Sequence, residues 1–296
     1  MGRILVSGVS GPIGAALLPS LEAQGHKITR LVRSMARAGQ IAWDPAQPLR
    51  PAAVAGFDAV VHLAGESIVG RWTAAKKRRI LESRVDGTRH LAAALAETRQ
   101  RPEVFICASA VGYYGNRGDE VLLEESASGE GFLAEVCRQW EAAAKPASDA
   151  GIRTVHMRFG LVLSPTGGAL PRMLPPFRMG VGGRVGSGRQ WWSWIEVSDI
   201  AGAVPHILAN HGLHGPVNVV APNPVTNAEF TRVLASVLHR PAVFPLPAFP
   251  VRLAFGEMGE ELLLASQRVE AGKLLGSGYR FQHPELRGAL EGILKG

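Results

Sequence analysis

Three glycines spaced three apart, Gly8, Gly11 and Gly14, stand between an apolar, β-branched run (Arg3–Ser7) and a segment of helical periodicity (13–25) that stops at Gly25. No other feature restricts the fold as much. Glycines at a strand-to-helix junction permit a tight turn and let backbone approach a ligand closely. The helix that follows aims free N–H groups and the positive end of its dipole at the same place. A lone glycine motif says little. With a strand before it, a helix after it and a βαβ unit around it, the motif predicts a dinucleotide site with Gly8, Ser10, Gly11, Pro12, Ile13 and Gly14 against the pyrophosphate.

The rest of the first half keeps the alternation. Strands are expected at Lys27–Val32, 58–64, 103–109 and 152–158, and helices at 73–99 and 130–150. The run DAVVHLA (58–64) is continuously apolar, as in a strand buried on both faces. This pattern specifies a doubly wound parallel sheet with right-handed crossovers. After Gly160 the pattern changes to a Gly/Pro-rich, Arg-containing stretch reaching Gln190, then a short strand (194–197), a helix (198–210) and a strand (217–221). Thr226 and Glu229 have capping-box spacing. A Pro-rich stretch (241–250) leads into a long helical region, and Pro284 opens a last short helix. The expected division is a Rossmann domain over 1–160 and a smaller α/β lobe over 161–296, interleaved with it because about 190–221 returns to the first domain.

Two cysteines without CxxC spacing, Cys107 and Cys137, exclude a disulfide scaffold and a Cys-built zinc site, and no metal is expected. No apolar run approaches the ~18 residues of a membrane span. The N-terminal apolar stretch is interrupted by glycines, unlike a signal peptide, and Val6 occupies the position where myristoylation wants Ser or Thr. These features suggest the reducing cytoplasm. The net charge of +7 accumulates mostly in the second half. From Asp149 to Glu196 there is no intervening acid, while Arg153, Arg158, Arg172, Arg178, Arg184 and Arg189 lie there. One basic wall suited to a phosphorylated small molecule is expected. Lys76-Lys77-Arg78-Arg79 sits on a helix with apolar residues on another face and reads as a solvated face, not a nucleic-acid patch.

The end of the second strand reads Leu31-Val32-Arg33-Ser34. A site for NAD carries a carboxylate there to hold the ribose hydroxyls. Here Arg33 would pair with a 2′-phosphate and Ser34 could donate to it, which favours NADP(H). The alternative is a solvated charge at a strand end.

The GxxGxxG spacing, the segment His62-Leu63-Ala64-Gly65 and the run Gly186-x-Gly188-x-Gln190 followed by WIEVSD (194–199) resemble the extended short-chain dehydrogenase/reductases. HLAGE (62–66), SRVDGT (83–88), SAVGYYG (109–115), RFGLVLSPTGGAL (158–170), QWWSWIEVSD (190–199) and SQRVEAGKLLGSGYRF (266–281) are similar to one atypical branch, the epimerase family proteins. The resemblance spans nearly the whole chain. It implies an NADP-binding Rossmann fold, with His62, Leu63, Ala64 and Gly65 lining the adenine–ribose side and Arg158 at the cofactor site. Its members are named nucleoside-diphosphate-sugar epimerases. The chain departs from the branch at Glu196, where His is usual, and at Ala271, where Pro is usual.

The superfamily's acid/base pair is Tyr with Lys four residues on. Four residues beyond Tyr113, Tyr114 and Tyr279 stand Arg117, Gly118 and His283. Aligned by the helix that carries the pair, its two places fall near Leu133 and Cys137. Ser109, at the end of the fourth expected strand, matches the retained serine. Tyr113 or Tyr114 could supply a phenol, and Glu66 a base if burial raises its pKa. Each has a plainer reading: a satisfied strand-end hydroxyl, a core or turn tyrosine, a loop glutamate. Trp192 stands where the sugar-nucleotide enzymes place an Arg for the substrate's phosphate. Arg184 or Arg189 could replace that Arg, or a flatter, more apolar substrate could stack on Trp192 or Trp194. The tryptophans could instead form core between the lobes. Two readings follow: an NADP(H)-dependent oxidoreductase acting on a small molecule, with epimerisation by transient hydride transfer as a subclass; or a catalytically silent NADP(H) sensor.

Overall fold

The computed structural model describes residues 2–33 and 35–295. Seven strands form one sheet: β1 (Arg3–Ser7), β2 (Lys27–Val32), β3 (Gln40–Ala42), β4 (Ala59–His62), β5 (Val104–Ala110), β7 (Arg153–Phe159) and β11 (Gly215–Val219), in the order β11-β7-β5-β4-β1-β2-β3. Every neighbouring pair is parallel. The chain leaves β1 towards β2 on one side and returns to β4 on the other. The crevice past the C-terminal ends of β1 and β4 is therefore the topological switch point, where such sheets bind ligands.

Alternation along the strands builds two layers. Ile4 and Val6 of β1, Ala59 and Val61 of β4, and Val104, Ile106 and Ala108 of β5 pack towards α1 (Pro12–Ala23) and α6 (Val197–Ala209). Leu5, Val60, Phe105 and Cys107 point the other way, onto α2 (Ala74–Glu97) and α4 (Lys145–Asp149). This is the doubly wound α/β arrangement, and it explains why the strands read as unbroken apolar runs.

Three expectations about elements need correction. The helix foreseen over 130–150 is two helices, α3 (Phe132–Ala143) and α4. Pro146 lies in the first turn of α4, where its missing N–H costs nothing, but it could not continue α3. The short edge strand β3 was not foreseen. The long helical region after Pro250 is a series of short pieces: α8 (Ala248–Phe255), α9 (Glu257–Gly259), a π-helical turn (Glu260–Leu264), β13 (Arg268–Val269), α10 (Gly272–Gly276) and α11 (Leu286–Lys295). Gly256, at φ +58° and ψ −138°, breaks the first of them.

The remaining short strands are β6 (Val121–Leu122), β8 (Leu161–Leu163), β9 (Trp191–Trp192), β10 (Trp194–Glu196) and β12 (Val225–Thr226). The pairs β10–β8, β12–β9 and β13–β6 make three two-stranded sheets beside the main one. A separate core, including Leu163, Leu174, Phe177, Trp192, Trp194, Phe230 and Leu290, joins the β10–β8 and β12–β9 pairs to α5 (Leu170–Arg178), α7 (Asn227–Leu238) and α11, while Leu122 of β6 and Val269 of β13 pack into the main core. Thr226 caps α7 by accepting the Glu229 N–H at 3.2 Å. Asp199 of α6 accepts from the N–H groups of Gln282 and His283 at 2.6 and 3.0 Å, so the C-terminal block is clamped to the first helix layer. Among the described residues no helix is long and apolar enough to cross a membrane.

Candidate cofactor crevice and reacting end

The three glycines serve different purposes. Gly8 has φ +72°, and a Cβ there would lie 2.5 Å from the Leu63 carbonyl carbon. A Cβ on Gly14 would lie 2.6 Å from Val9 Cα. Both are glycine because the backbone of the turn packs against β4 and itself. Gly11 is different: its Cβ would meet only the Gly8 oxygen at 3.5 Å, so its outer side is open. Gly11 is also the N-cap of α1. It makes no side-chain cap, Pro12 follows it, and no acid occupies the first turn. The donors at this helix start are left to a ligand, and the open cradle fits a dinucleotide pyrophosphate. Ser10 is exposed beside the turn, while Ile13 faces the core.

Leu63 and Ala64 continue β4 into the crevice and pack against opposite layers. The Leu63 N–H reaches Ser7 O and Ser7 Oγ at 3.3 and 3.2 Å, which holds the two strand ends together. Arg33 is exposed just past β2 and makes no hydrogen bond or ion pair among the described residues, although it is near enough to Glu66 to attract it. Ser34 lies outside the described residues.

His62 does not present its ring to the crevice. It is fully buried, its Nδ1 is 2.6 Å from Ser7 Oγ, and it packs edge-on against Trp43 at 5.8 Å. Burial pushes its pKa down to about 4, so the ring is neutral and serves the core. Arg158 is likewise withdrawn from the expected cofactor role. Its Nε and Nη2 each donate to Glu141 at 2.8 Å, and its Nη1 donates to Tyr114 Oη at 3.0 Å and to the Glu124 carbonyl at 3.1 Å. Its guanidinium also lies 3.5 Å from the Tyr113 ring centroid. Burial opposes its charge, but the Glu141 hydrogen bonds and charge outweigh burial and raise its pKa.

Ser109 and Tyr114 belong to the same network. Ser109 Oγ donates to Glu141 Oε1 at 2.7 Å, and Tyr114 Oη donates to Asn218 Oδ1 at 2.7 Å. Tyr114 is fully buried and its pKa is pushed up to about 12, chiefly by burial, so it cannot act as a neutral-pH base. Tyr113 is half-buried, and its phenol has no hydrogen-bond partner among the described residues. Glu66 runs against the expectation of a raised pKa. The Lys76 ammonium at 2.8 Å lowers it, first by hydrogen bond, and keeps the carboxylate ionised.

The expected substrate residues scatter. Trp194 is fully buried, and its indole donates to the Asn223 carbonyl at 3.0 Å. Trp192 packs on Phe230, ring centroids 5.3 Å apart, in the same core. Neither offers a stacking face; both hold the C-terminal lobe together. Arg184 donates to the Ser187 carbonyl at 2.9 Å and lines an open hollow of about 300 Å³ with Thr231, Arg232 and Val243. Arg189 is exposed. Arg153 is bonded to the Ile207, Asn210 and Leu213 carbonyls, so with Arg158 also engaged the single basic wall does not form.

The residues missed from sequence are Glu141, Asn218, Glu261 and Arg84. Glu141 lies one turn after Cys137 on α3, a spacing visible in the sequence but without a chemical cue. Leu133 and Cys137 do stand together beside Gly112, past the end of β5. Burial, then Glu141, pushes the Cys137 thiol up to about 12, so it is no nucleophile. Glu261 accepts from the N–H groups of Phe132 and Leu133, both at 2.7 Å, at the start of α3. Beside it a cavity of about 70 Å³ is lined by Gly112, Asn116, Glu130, Leu133, Glu260 and Gln267, with no basic side chain.

Residues 4–221 match the NAD dependent epimerase/dehydratase family, and residues 246–293 match a domain of unknown function, DUF1731. The chain belongs to the NAD dependent epimerase/dehydratase family. An epimerase family protein of Mycobacterium bovis is 43% identical over 97% of this chain and 96% of its own. The crystal structure of human epimerase family protein SDR39U1 with NADPH superposes with a TM-score of 0.91, at 38% identity and 99% coverage of both chains. A nucleoside-diphosphate sugar epimerase from Corynebacterium glutamicum, also 38% identical, superposes at 0.83 over 99% of this chain but 58% of that one.

Proposed function

We propose that the protein is an NADP(H)-binding oxidoreductase of epimerase-like architecture, acting on a small molecule in the cytoplasm. The observation that carries this reading is the uncommitted helix start at Gly11, with Arg33 making no hydrogen bond or ion pair among the described residues at the end of β2 where a 2′-phosphate is read. The human relative at 38% identity was crystallised with NADPH, which supports the same cofactor here. The Gly11–Ile13 turn would hold the pyrophosphate, Leu63–Gly65 the wall of the crevice and Arg33 the 2′-phosphate. When bound, the cofactor supplies or accepts hydride.

Nothing in the reading calls for nucleic acid or a membrane. The silent-sensor reading draws support from one observation: Ser109, Tyr114 and Arg158 are all engaged by protein partners. The test is a titration with NADPH followed by a screen of carbonyl compounds with NADPH and of alcohols with NADP⁺. Tight binding with turnover supports the enzyme, tight binding without turnover the sensor, and no binding overturns both.

A further inference from the structure

Arg84, on α2, is held where the loop after β4 meets α3. The Glu66 N–H donates to Ser83 Oγ at 3.0 Å, and Arg84 Nη1 donates back to the Glu66 carbonyl at 3.0 Å and to the Ile80 carbonyl at 3.1 Å. Its guanidinium lies 5.0 Å over the Trp140 ring. Along its other side runs Gly65, where a Cβ would meet Cζ at 3.3 Å and Nη2 at 3.4 Å. Helix, ring and glycine thus leave the group little freedom.

The remaining donors are unspoken for. Among the described residues Nε and Nη2 make no hydrogen bond, and no carboxylate lies within ion-pair distance. Glu66, the nearest acid, is engaged with Lys76. Arg158 shows the contrast, since it is buried and bonded by two nitrogens to Glu141. Burial lowers the Arg84 pKa, but a guanidinium stays charged at any physiological pH. A desolvated cation without a counter-charge is costly, so its location beside Gly65 and Cys137 is that of a group whose partner arrives with the ligand.

We propose that Arg84 is the catalytic oxyanion-binding residue of the crevice, its Nε and Nη2 donating to the carbonyl oxygen of the substrate. This rests on the oxidoreductase reading above. When a carbonyl is reduced, hydride adds to its carbon and the C=O π pair moves onto oxygen. The alkoxide charge forms against Nε and Nη2, and a proton from water completes the alcohol. NADPH is the hydride source and leaves as NADP⁺. Preorganised donors aimed at developing charge are the kind of contribution that does not depend on a titrating acid.

Acetate serves as a stable oxyanion probe, titrated into NADP⁺-saturated protein by calorimetry. Wild type should bind it saturably. Arg84→Met, and Arg84→Gln, which retains a donor for the Glu66 carbonyl, should each weaken acetate by about tenfold or more, as expected when a charge-assisted bond is lost. Both variants should bind NADPH within about twofold of wild type, since the Gly11 turn and Arg33, which would hold its phosphates, are unchanged. Acetate binding that is absent from wild type, or unchanged in the variants, overturns the assignment. So does an equal loss of NADPH affinity, which would mark a structural role. A wild-type protein that binds neither NADP⁺ nor NADPH refutes the cofactor reading itself.

Discussion

At the mouth of β1 and β4 the chain leaves its polar groups unused: the N–H donors of α1, the exposed Ser10 and the unpaired Arg33. Past the next two strands, β5 and β7, Ser109, Glu141, Arg158, Tyr114 and Asn218 bond to one another. The first end is built for something that is not protein. The second resembles a core that happens to be polar, in which, among the described residues, Nε and Nη2 of Arg84 and the Tyr113 phenol make no hydrogen bond. Family likeness to epimerases therefore carries different weight at the two ends. It describes how a dinucleotide is held better than it describes how a substrate reacts.

The largest test of this contrast is at the closed end. Arg158 and Glu141 are 3% and 13% exposed. Removing the carboxylate with Glu141→Ala strands a buried guanidinium and should cost ~3–5 kcal/mol of folding stability. Pairing Glu141→Leu with Arg158→Met should recover much of that loss, because an apolar pair needs no counter-charge. Urea unfolding of the single and double variants measures both. A Glu141→Ala protein as stable as wild type would mean that the network is looser than its bond lengths indicate.

The open end should respond in the opposite sense. The Cβ of Gly11→Val would meet only the Gly8 oxygen at 3.5 Å, and φ −81° suits any residue. Stability should fall by no more than ~1 kcal/mol, the loss from a poorer N-cap. NADPH binding should drop by at least ~100-fold, because the branched side chain fills the approach to the helix start. Calorimetry beside thermal unfolding separates the two quantities. A folded Gly11→Val protein with normal NADPH affinity would move the site elsewhere.

What sequence could show follows the same division. The GxxGxxG turn, the apolar strands and the parallel order were legible because each depends on local spacing: a tight turn, two-sided burial, a short crossover. Glu141 was not, because its importance comes from Ser109 and Arg158, which reach it only after β5, β7 and α3 have packed. Trp192 and Trp194 misled for a related reason, since an indole that could stack on a ligand stacks equally well on Phe230. Arg84 sat in a segment, SRVDGT, that marked the family without suggesting any chemistry. The break at Pro146 and the short pieces after Gly256 were written locally in Pro and Gly. The periodicity reading passed over them.

Between the two ends lies His62, and it supplies a pH signature. Its pKa falls from an ordinary 6.5 to about 4 through burial. Below pH 6.5 the unfolded chain takes up a proton that the folded chain refuses. Stability should therefore fall as pH drops towards 4 and level off below that, with ~2 kcal/mol lost between pH 6.5 and 5 on account of this group. His156 is shifted in the same direction by burial, so the readout is a difference in slope. His62→Gln should flatten the dependence by that amount in urea midpoints measured across the range. An unchanged slope would mean that the ring is protonated in the fold.

The smallest expected effect is the one that bears most directly on cofactor choice. Arg33 is exposed and held by no partner among the described residues, so nothing orders it before the cofactor arrives, and salt screens it. A charge-assisted pair with a 2′-phosphate should nevertheless make NADPH bind about tenfold tighter than NADH, ~1.4 kcal/mol. Arg33→Asp replaces attraction by repulsion and should remove most of that preference while leaving NADH nearly unaffected, because only the 2′ substituent differs. Raising the salt concentration should shrink the wild-type preference in the same direction. Arg33→Asp should leave acetate binding at Arg84, on the helix Ala74–Glu97, unchanged. Equal affinities for NADPH and NADH in the wild type would show that Arg33 is a solvated strand-end charge, and that the open end selects a dinucleotide without reading its 2′-phosphate.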